Sequence, residues 1–544
     1  MLLATALVKL IGAFFKIPIS SNYCLGDLGF GYFSSAYDFF SPVYTITVSG
    51  FPVAISRVVA DFTARNRFKD AKNAFKASKW LLFALGLAAS LLMVALAFPF
   101  VRITDTTGKS LYSLLAIAPS FVFCFWSSAY RGYFEGLHNM TYPAVSNVIE
   151  ALGKLILGLG FAVATVQLTG NAALAAATSL LGITVGNIIG ALYLKIIYKG
   201  KSTLLEGQAL EDTPLPKKEI LKLIIIVSVP IVLSSMSSSM VALVDALTVR
   251  WQLTALVSKH TELLKGLFAE CLSDITILGD RTLTAEELPT FLYGIRSKAY
   301  TIYNLVPSIT VALGVSAIPV LAESFAKGDK TQVGKSAGVV LKLSSLITLP
   351  IAAGFLAVGE GIMSLLYGGG ISSQIGGKML SLYGIAVAFS GIFIPLSCVL
   401  QALGKQNAAL YNVGFGVAVK IILNLLLCNI PDVNVFGAVV STIACNLVIF
   451  ILHFITLIKC IGLSFQIKNT FIKPLISSAC CGITAFLISL SGDSSLITLM
   501  AIIGAAVVYL AIASLLNTFC DDDILSLPGG KKLLKICKKV KIVR

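Results

Sequence analysis

Residues Gly50–Lys79 read GFPVAISRVVADFTARNRFKDAKNAFKASK. The first half is apolar except for Arg57 and is interrupted by Pro52. The second half carries Arg65, Arg67, Lys69, Lys72, Lys76 and Lys79. An apolar run that ends in a cluster of cations has the pattern of a membrane helix leaving the bilayer on its cytoplasmic side. A proline and an arginine inside such a helix are costly in hydrocarbon. They are tolerated where the helix packs in protein or lines a cavity. This stretch therefore sets an orientation and points to a polar interior.

The composition around it agrees. Of 544 residues, 57% are apolar and 12% charged, with a mean hydropathy of +0.90. Soluble domains carry about 25% charged residues. The chain holds about fourteen segments of the roughly 20 apolar residues that a span needs. It is expected to be an all-α polytopic membrane protein. Met1–Ile19 lacks a basic start and a small-residue cleavage site, so it reads as a retained first helix. A net charge of +16 does not signal nucleic acid. The cations fall in loops on alternate sides of the helices, where they face an anionic inner leaflet. With both termini inside, the outer loops at Asn22–Gly31, Gln167–Asn171, Asn429–Asn434 and Ser491–Ser495 hold no Lys or Arg. Eleven cysteines show no framework or metal-ligand spacing, so neither metal nor cofactor is expected.

The expected organisation is a six-helix bundle over 1–198, a cytoplasmic connector over 199–222, and a second six-helix bundle over 223–460. An outer loop spans 250–298, two further helices lie within 461–517, and a basic cytoplasmic tail covers 518–544. An internal echo supports the two bundles. Ala60-Asp61-Phe62-Thr63-Ala64-Arg65-Asn66 returns as Ala322-Glu323-Ser324-Phe325-Ala326-Lys327-Gly328. Gly136-Leu137-His138-Asn139 returns as Gly404-Lys405-Gln406-Asn407. Each member of the second pair precedes a helix with an intramembrane lysine, Lys154 or Lys420. Repeats of one orientation predict two bundles related by a pseudo-two-fold axis along the membrane normal, with a cleft between them for substrate.

The order GFPVAIS-R-VVA-D, then AYRGYFEGLHNMTYPAVSNVIE (Ala129–Glu150), then a repeat of the basic loop resembles the MOP exporter superfamily. Within it, the chain is most similar to the oligosaccharide-flippase branch of stage V sporulation protein B, a cousin of the lipid II flippase MurJ. The resemblance covers nearly the whole chain and departs from it in the long polar segment Arg250–Lys298. It implies a flippase of the bacterial cytoplasmic membrane that moves an undecaprenyl-pyrophosphate-linked saccharide by alternating access. It further implies a working monomer among membrane lipids, with Na⁺ or H⁺ as candidate coupling ions.

Moving a pyrophosphate through hydrocarbon calls for cations, which pair well with phosphate oxygens. The candidate substrate-binding residues are Lys9, Lys16, Arg57, Arg131, Arg250 and Lys420. Snorkelling to a helix end competes with this role for Lys16, and a structural cap or lipid-phosphate anchor competes for Arg131. Asp38 and Asp245 are the candidate coupling acids, or each pairs with a neighbouring cation. Glu150 and Lys154 stand four apart in the order that favours a mutual ion pair. Asp61 and Glu323 recur in both repeats and are expected to brace a cytoplasmic gate. Pro52 is expected to bend its helix.

Two other readings compete. A cation-coupled multidrug exporter of the same superfamily would want an acidic cavity, and here cations outnumber acids. A membrane glycosyltransferase or ligase would want grouped acids or histidines, and His138, His260 and His453 are scattered. GGGISSQIGGK (Gly368–Lys378) lacks the glycine and Ser/Thr of a phosphate loop. Asp521–Asp523 has no partner acids nearby in sequence.

Overall fold

The chain, described from a computed structural model, is helical throughout the residues the structure describes, which are 2–201, 215–273, 282–462, 466–492 and 494–518. Most of the connector and the basic tail therefore lie outside the described residues. The first helices are α1 (Leu2–Ile19), α2 (Gly26–Thr45) and α3 (Phe51–Ala64). They are followed by α4 (Phe68–Thr104), α5 (Ser110–Ile117), α6 (Ser120–Gly136), α7 (Thr141–Gly153), α8 (Leu159–Thr169) and α9 (Ala172–Lys201). Next come α10 (Lys217–Lys259), two short helices α11 (Thr261–Leu267) and α12 (Ala269–Ser273), and α13 (Leu288–Ala326). The chain continues with α14 (Lys330–Tyr367), α15 (Ile371–Ala402), α16 (Gln406–Leu427), α17 (Phe436–Ile461), α18 (Lys473–Ser489) and α19 (Ser495–Leu515). Single π-helical turns join α2 to α3 (Ile46–Gly50) and α7 to α8 (Lys154–Gly158), and another leads into α18 (Lys468–Ile472). Among the described residues, twelve helical stretches are long and apolar enough to cross a membrane. Together with α1 and α10, the element order is consistent with fourteen crossings.

Several stretches expected to be loops are helix. The basic run after Arg57 is broken only at Arg65–Arg67, and α4 already begins at Phe68. The segment 250–298 is not one loop. Helix α10 runs on to Lys259 and α13 starts at Leu288. The Gly-rich stretch Glu360–Lys378 leaves only 368–370 between α14 and α15. The supposed outer loop around Gly26–Gly31 is the start of α2, and Asp27 is buried there. The physical reason is length. A 38-residue helix is roughly 57 Å long, whereas the hydrocarbon core is about 30 Å thick. Charged residues therefore sit on helical overhangs rather than in loops. Pro52 falls in the first turn of α3, directly after the π turn. The helical stretch Gly26–Ala64 runs on through that π turn, so Pro52 sits inside it, where a proline lacks the N–H of a helical bond and crowds the preceding turn.

The chain divides into two compact units, Met1–Gly294 and Ile295–Arg544. In the first, α10 packs on α2, α3 and α4. The first turns of α13 lie backbone to backbone on the start of α2. A methyl group on Gly31 would strike the Thr290 carbonyl, and one on Gly294 would strike that of Asp27. In the second unit, α13, α14, α15 and α17 bury an aliphatic core that includes Leu321, Leu341, Leu396, Leu400 and Leu457.

The sequence echo has a structural counterpart at the helix ends. After α3, the N–H groups of Arg65, Asn66 and Arg67 donate to the carbonyls of Asp61, Thr63 and Phe62. After α13, those of Lys327, Gly328 and Asp329 donate to Glu323, Phe325 and Ser324. Asn66 and Gly328 both take positive φ, 59° and 74°. The same closure follows α6, at Leu137, His138 and Asn139, and follows α15, at Leu403, Gly404 and Lys405. This pairs His138 (φ 59°) with Gly404 (φ 70°). The second echo is therefore shifted by two residues from the sequence match that pairs Gly136 with Gly404. In the structural register, Lys154 and Lys420 stand equally far beyond their helix ends.

Candidate functional site

The first unit holds a cationic core. Helix α2 carries a column of rings in which Phe30, Phe33, Tyr37, Phe40 and Tyr44 contact one another in turn. Their spacing of three and four residues puts them on one helix face. Two lysines converge on the middle ring. The Lys16 ammonium, from α1, lies 5.0 Å from the centre of Tyr37. The Lys154 ammonium lies 4.4 Å from the same centre and donates to the Tyr37 hydroxyl at 2.9 Å. It also lies 4.8 Å from the centre of Phe15. Arg57 is exposed on α3. Among the described residues, Lys16, Lys154 and Arg57 make no ion pair. Lys9 lies on α1, and its side chain is outside the described residues.

The expected Glu150–Lys154 pair does not form. Glu150 is buried, and its carboxylate pairs with the guanidinium of Arg131, which is 1% exposed. Arg131 also donates to Ser146 at 3.3 Å, and the Tyr44 hydroxyl reaches Glu150 at 3.5 Å. Gly190 leaves room for the Glu150 side chain. The backbone is α-helical between them, with the Lys154 N–H on the Glu150 carbonyl. The side chains part because Arg131 takes the Glu150 carboxylate and Tyr37 takes the Lys154 ammonium. Arg131 is thus occupied by a buried carboxylate and is not an open substrate contact in this structure.

Arg250 is fully buried in the last third of α10. It donates to Ser35, to Ser110 at 3.1 Å and to Thr290 at 3.1 Å, and lies 3.9 Å from Asp105. Asp105 in turn accepts from the N–H of Ser110 at 2.8 Å and from the Thr107 hydroxyl at 2.7 Å. Burial alone would raise the Asp105 carboxyl. Arg250 and the hydrogen bonds from Ser110 and Thr107 outweigh it and hold the carboxyl below its ordinary value. Lys109 reaches Glu287 at 3.0 Å, and Thr106 donates to the Glu286 carbonyl at 3.0 Å. Asp38 accepts from Tyr293 at 2.8 Å. Arg250 therefore sits in a knot joining α2, the 105–109 turn, α10 and the start of α13. It could meet a substrate only after these bonds break.

The remaining candidates have surroundings of their own. Asp245 is buried on α10. Lys420 is buried on α16 and donates to Thr442 on α17 at 3.0 Å. One turn on, Asn424 accepts from Ser441. Asp61 pairs with Arg65 at 2.9 Å and Glu323 with Lys327 at 2.6 Å, both on exposed helix ends. Sequence reasoning missed Tyr37, Arg296 and Lys298. The last two are buried at the start of α13, over Tyr300 and Tyr367. The signal was a lysine or arginine three to four residues from, or opposite, a tyrosine in an apolar run, and that pattern is common in any membrane helix.

Comparison with known proteins places this arrangement. The polysaccharide biosynthesis protein family matches residues 1–325, and the lipid II flippase MurJ family matches residues 296–513. Stage V sporulation protein B of Bacillus subtilis (strain 168) is 25% identical over 536 residues, which cover 97% of this chain and 96% of that one. The lipid II flippase MurJ of the same organism is 22% identical and covers 93% and 91%. A solved structure of MurJ in an inward closed conformation matches with a TM-score of 0.66 at 15% identity, over 94% of this chain and 98% of that one. An inward-facing multidrug resistance MATE family transporter of the MOP superfamily matches with a TM-score of 0.65 at 13% identity, over 85% and 95%. At these identities the structural matches speak for the fold alone, and the family match spans more than half of the chain. The protein belongs to the polysaccharide biosynthesis protein family, on the flippase branch of the MOP superfamily, and is a multi-pass membrane transporter rather than an enzyme.

Proposed function

We propose that this chain moves an undecaprenyl-pyrophosphate-linked saccharide across a bacterial cytoplasmic membrane by alternating access, with both termini on the cytoplasmic side. The observation that carries this reading is the charge balance of the first unit. Lys16, Lys154 and Arg57 have no ion pair among the described residues, whereas Glu150 is consumed by Arg131 and Asp38 accepts from Tyr293. A pair of ammonium groups, Lys16 and Lys154, without a carboxylate partner among the described residues suits an anionic phosphate head group. It opposes a cationic drug. Asp38 is the proposed site for a coupling cation or proton in this unit, as the carboxylate that accepts from Tyr293.

The test is Arg57→Ala in proteoliposomes supplied with a fluorescent undecaprenyl-pyrophosphate saccharide. The translocation rate should fall about 10- to 100-fold, the loss of one charge-assisted contact, with unchanged melting in detergent. Arg57→Lys should recover part of the rate. Full transport by the alanine variant would remove Arg57 from the substrate path.

A further inference from the structure

Helices α4, α6 and α9 meet through four rings near the start of α4. The Phe75 ring centre lies 5.1 Å from that of Tyr130, 4.6 Å from that of Tyr133 and 4.6 Å from that of Tyr198. One turn from these rings along each helix, towards the hydrocarbon, stand Lys79 on α4, Trp126 on α6 and Lys195 on α9. The Lys195 ammonium lies 5.4 Å from the centre of Trp126, and the Lys79 ammonium lies 5.7 Å from the centre of Trp80. Trp126 in turn stands edge to face on Tyr130. We propose that Lys79, Lys195 and Trp126 form a bilayer-facing site for the phosphate of an anionic glycerophospholipid. With the termini inside, as proposed above, this is a site in the inner leaflet.

The surroundings of the two lysines are those of a lipid-facing surface. Trp80 is 68% and Ile196 67% exposed, and Phe83 and Leu192 are exposed close by in sequence. Large apolar side chains left open on membrane helices meet acyl chains, and tryptophan prefers the level of the head groups. Lys79 and Lys195 are half-buried, so their stems lie along protein while their ammonium groups reach that level. Among the described residues, neither makes an ion pair. Each indole holds its ammonium by the negative face of the ring without neutralising it, as a carboxylate would. Every lysine has three N–H donors, so two of them can share the oxygens of one phosphodiester. A zwitterionic lipid brings its own cation to the same place, and an anionic lipid does not. The frame is close-packed as well: a methyl group on Gly86 of α4 would strike Phe125 of α6.

Quenching of tryptophan fluorescence by brominated lipids reads this site. The chain has three tryptophans, so a Trp251→Phe background leaves Trp80 and Trp126 to report. The full-length protein is reconstituted in phosphatidylcholine vesicles holding a minor fraction of brominated phosphatidylglycerol or of brominated phosphatidylcholine. Quenching should favour phosphatidylglycerol about 5- to 25-fold, roughly a factor of five for each lysine. Lys79→Gln and Lys195→Gln should each lower that preference about 5-fold. The double variant should abolish it, and Lys195→Arg should keep it. Lys69→Gln/Lys76→Gln removes two exposed cations of the same helix and should leave the preference intact. Equal quenching by the two lipids in the background protein would overturn the site and mark the lysines as merely snorkelling. A loss with Lys69→Gln/Lys76→Gln as large as with the Lys79 and Lys195 pair would overturn it too, as general attraction to a basic surface. Displacement of brominated phosphatidylglycerol by an equal fraction of undecaprenyl phosphate, but not of unlabelled phosphatidylglycerol, would assign the site to the carrier lipid instead. The two lysines are tested separately, so one variant that folds suffices. None of these outcomes touches the flippase reading, which stands or falls on translocation of the head group.

Discussion

Glu150 shows how one buried carboxylate constrains its neighbours. It is 5% exposed and Arg131 is 1% exposed, so neither charge has water to fall back on. Removing one partner of such a pair costs about 3–5 kcal/mol, because the other is left buried and unpaired. Arg131→Met should therefore lower melting sharply. The double variant Arg131→Met/Glu150→Met should recover much of the loss, since apolar replacement of a buried pair is often neutral. Melting of the purified variants checks both, and a double variant no better than the single one would contradict the account. The residue chemistry here was only partly legible in the sequence. Lys16, Lys154, Arg57, Arg131 and Asp38 stand out because charge in an apolar run is rare. Their partners do not. The spacing of Glu150 and Lys154 suits an ion pair, but Arg131 and Tyr37, both distant in sequence, take the two groups instead. Tyr37 could not be singled out, since an aromatic residue in a membrane helix carries no mark of what stacks on it.

The helices were legible in order but not in length. Hydropathy reports where a helix meets hydrocarbon, and it is silent on overhangs that stay helical in water. This is why Phe68–Lys79 and Arg250–Lys259 were read as loops. The repeated turns after α3 and α13 were visible because they need particular residues, namely an acid with a cation four later and then Asn or Gly at positive φ. The knot around Arg250 was invisible, because its members come from four separate stretches. Its pH dependence follows from Asp105. The folded-state carboxyl titrates below its ordinary value, so its contribution is fully present above about pH 5. It is lost as the pH falls through that lowered value. Asp105→Asn should therefore melt below wild type at neutral pH, by an amount worth about 1–3 kcal/mol. The gap should close progressively below about pH 4. A gap that widened with acid would contradict the placement of Asp105 beside Arg250.

For the molecule as a whole, matching closures after α3 and α13 and after α6 and α15 fall in the first and second units respectively. Repeats of one orientation suit a transporter that works by alternating access. The equivalent lysines of the two repeats have different surroundings. Lys154 points at Tyr37 in the first unit, whereas its counterpart Lys420 is buried against Thr442 in the second. Lys420→Met removes the buried hydrogen bond to Thr442 and should lower melting by an amount worth about 1–3 kcal/mol, and a variant that melts with wild type would contradict this. The most direct measurement is translocation by this chain alone, reconstituted in liposomes with a fluorescent undecaprenyl-pyrophosphate saccharide. Accessibility of the head group to an outside quencher would be followed with and without an ion gradient. The account predicts movement that requires the protein and falls with Arg57→Ala. No movement of this lipid, with export of a cationic dye in its place, would contradict it.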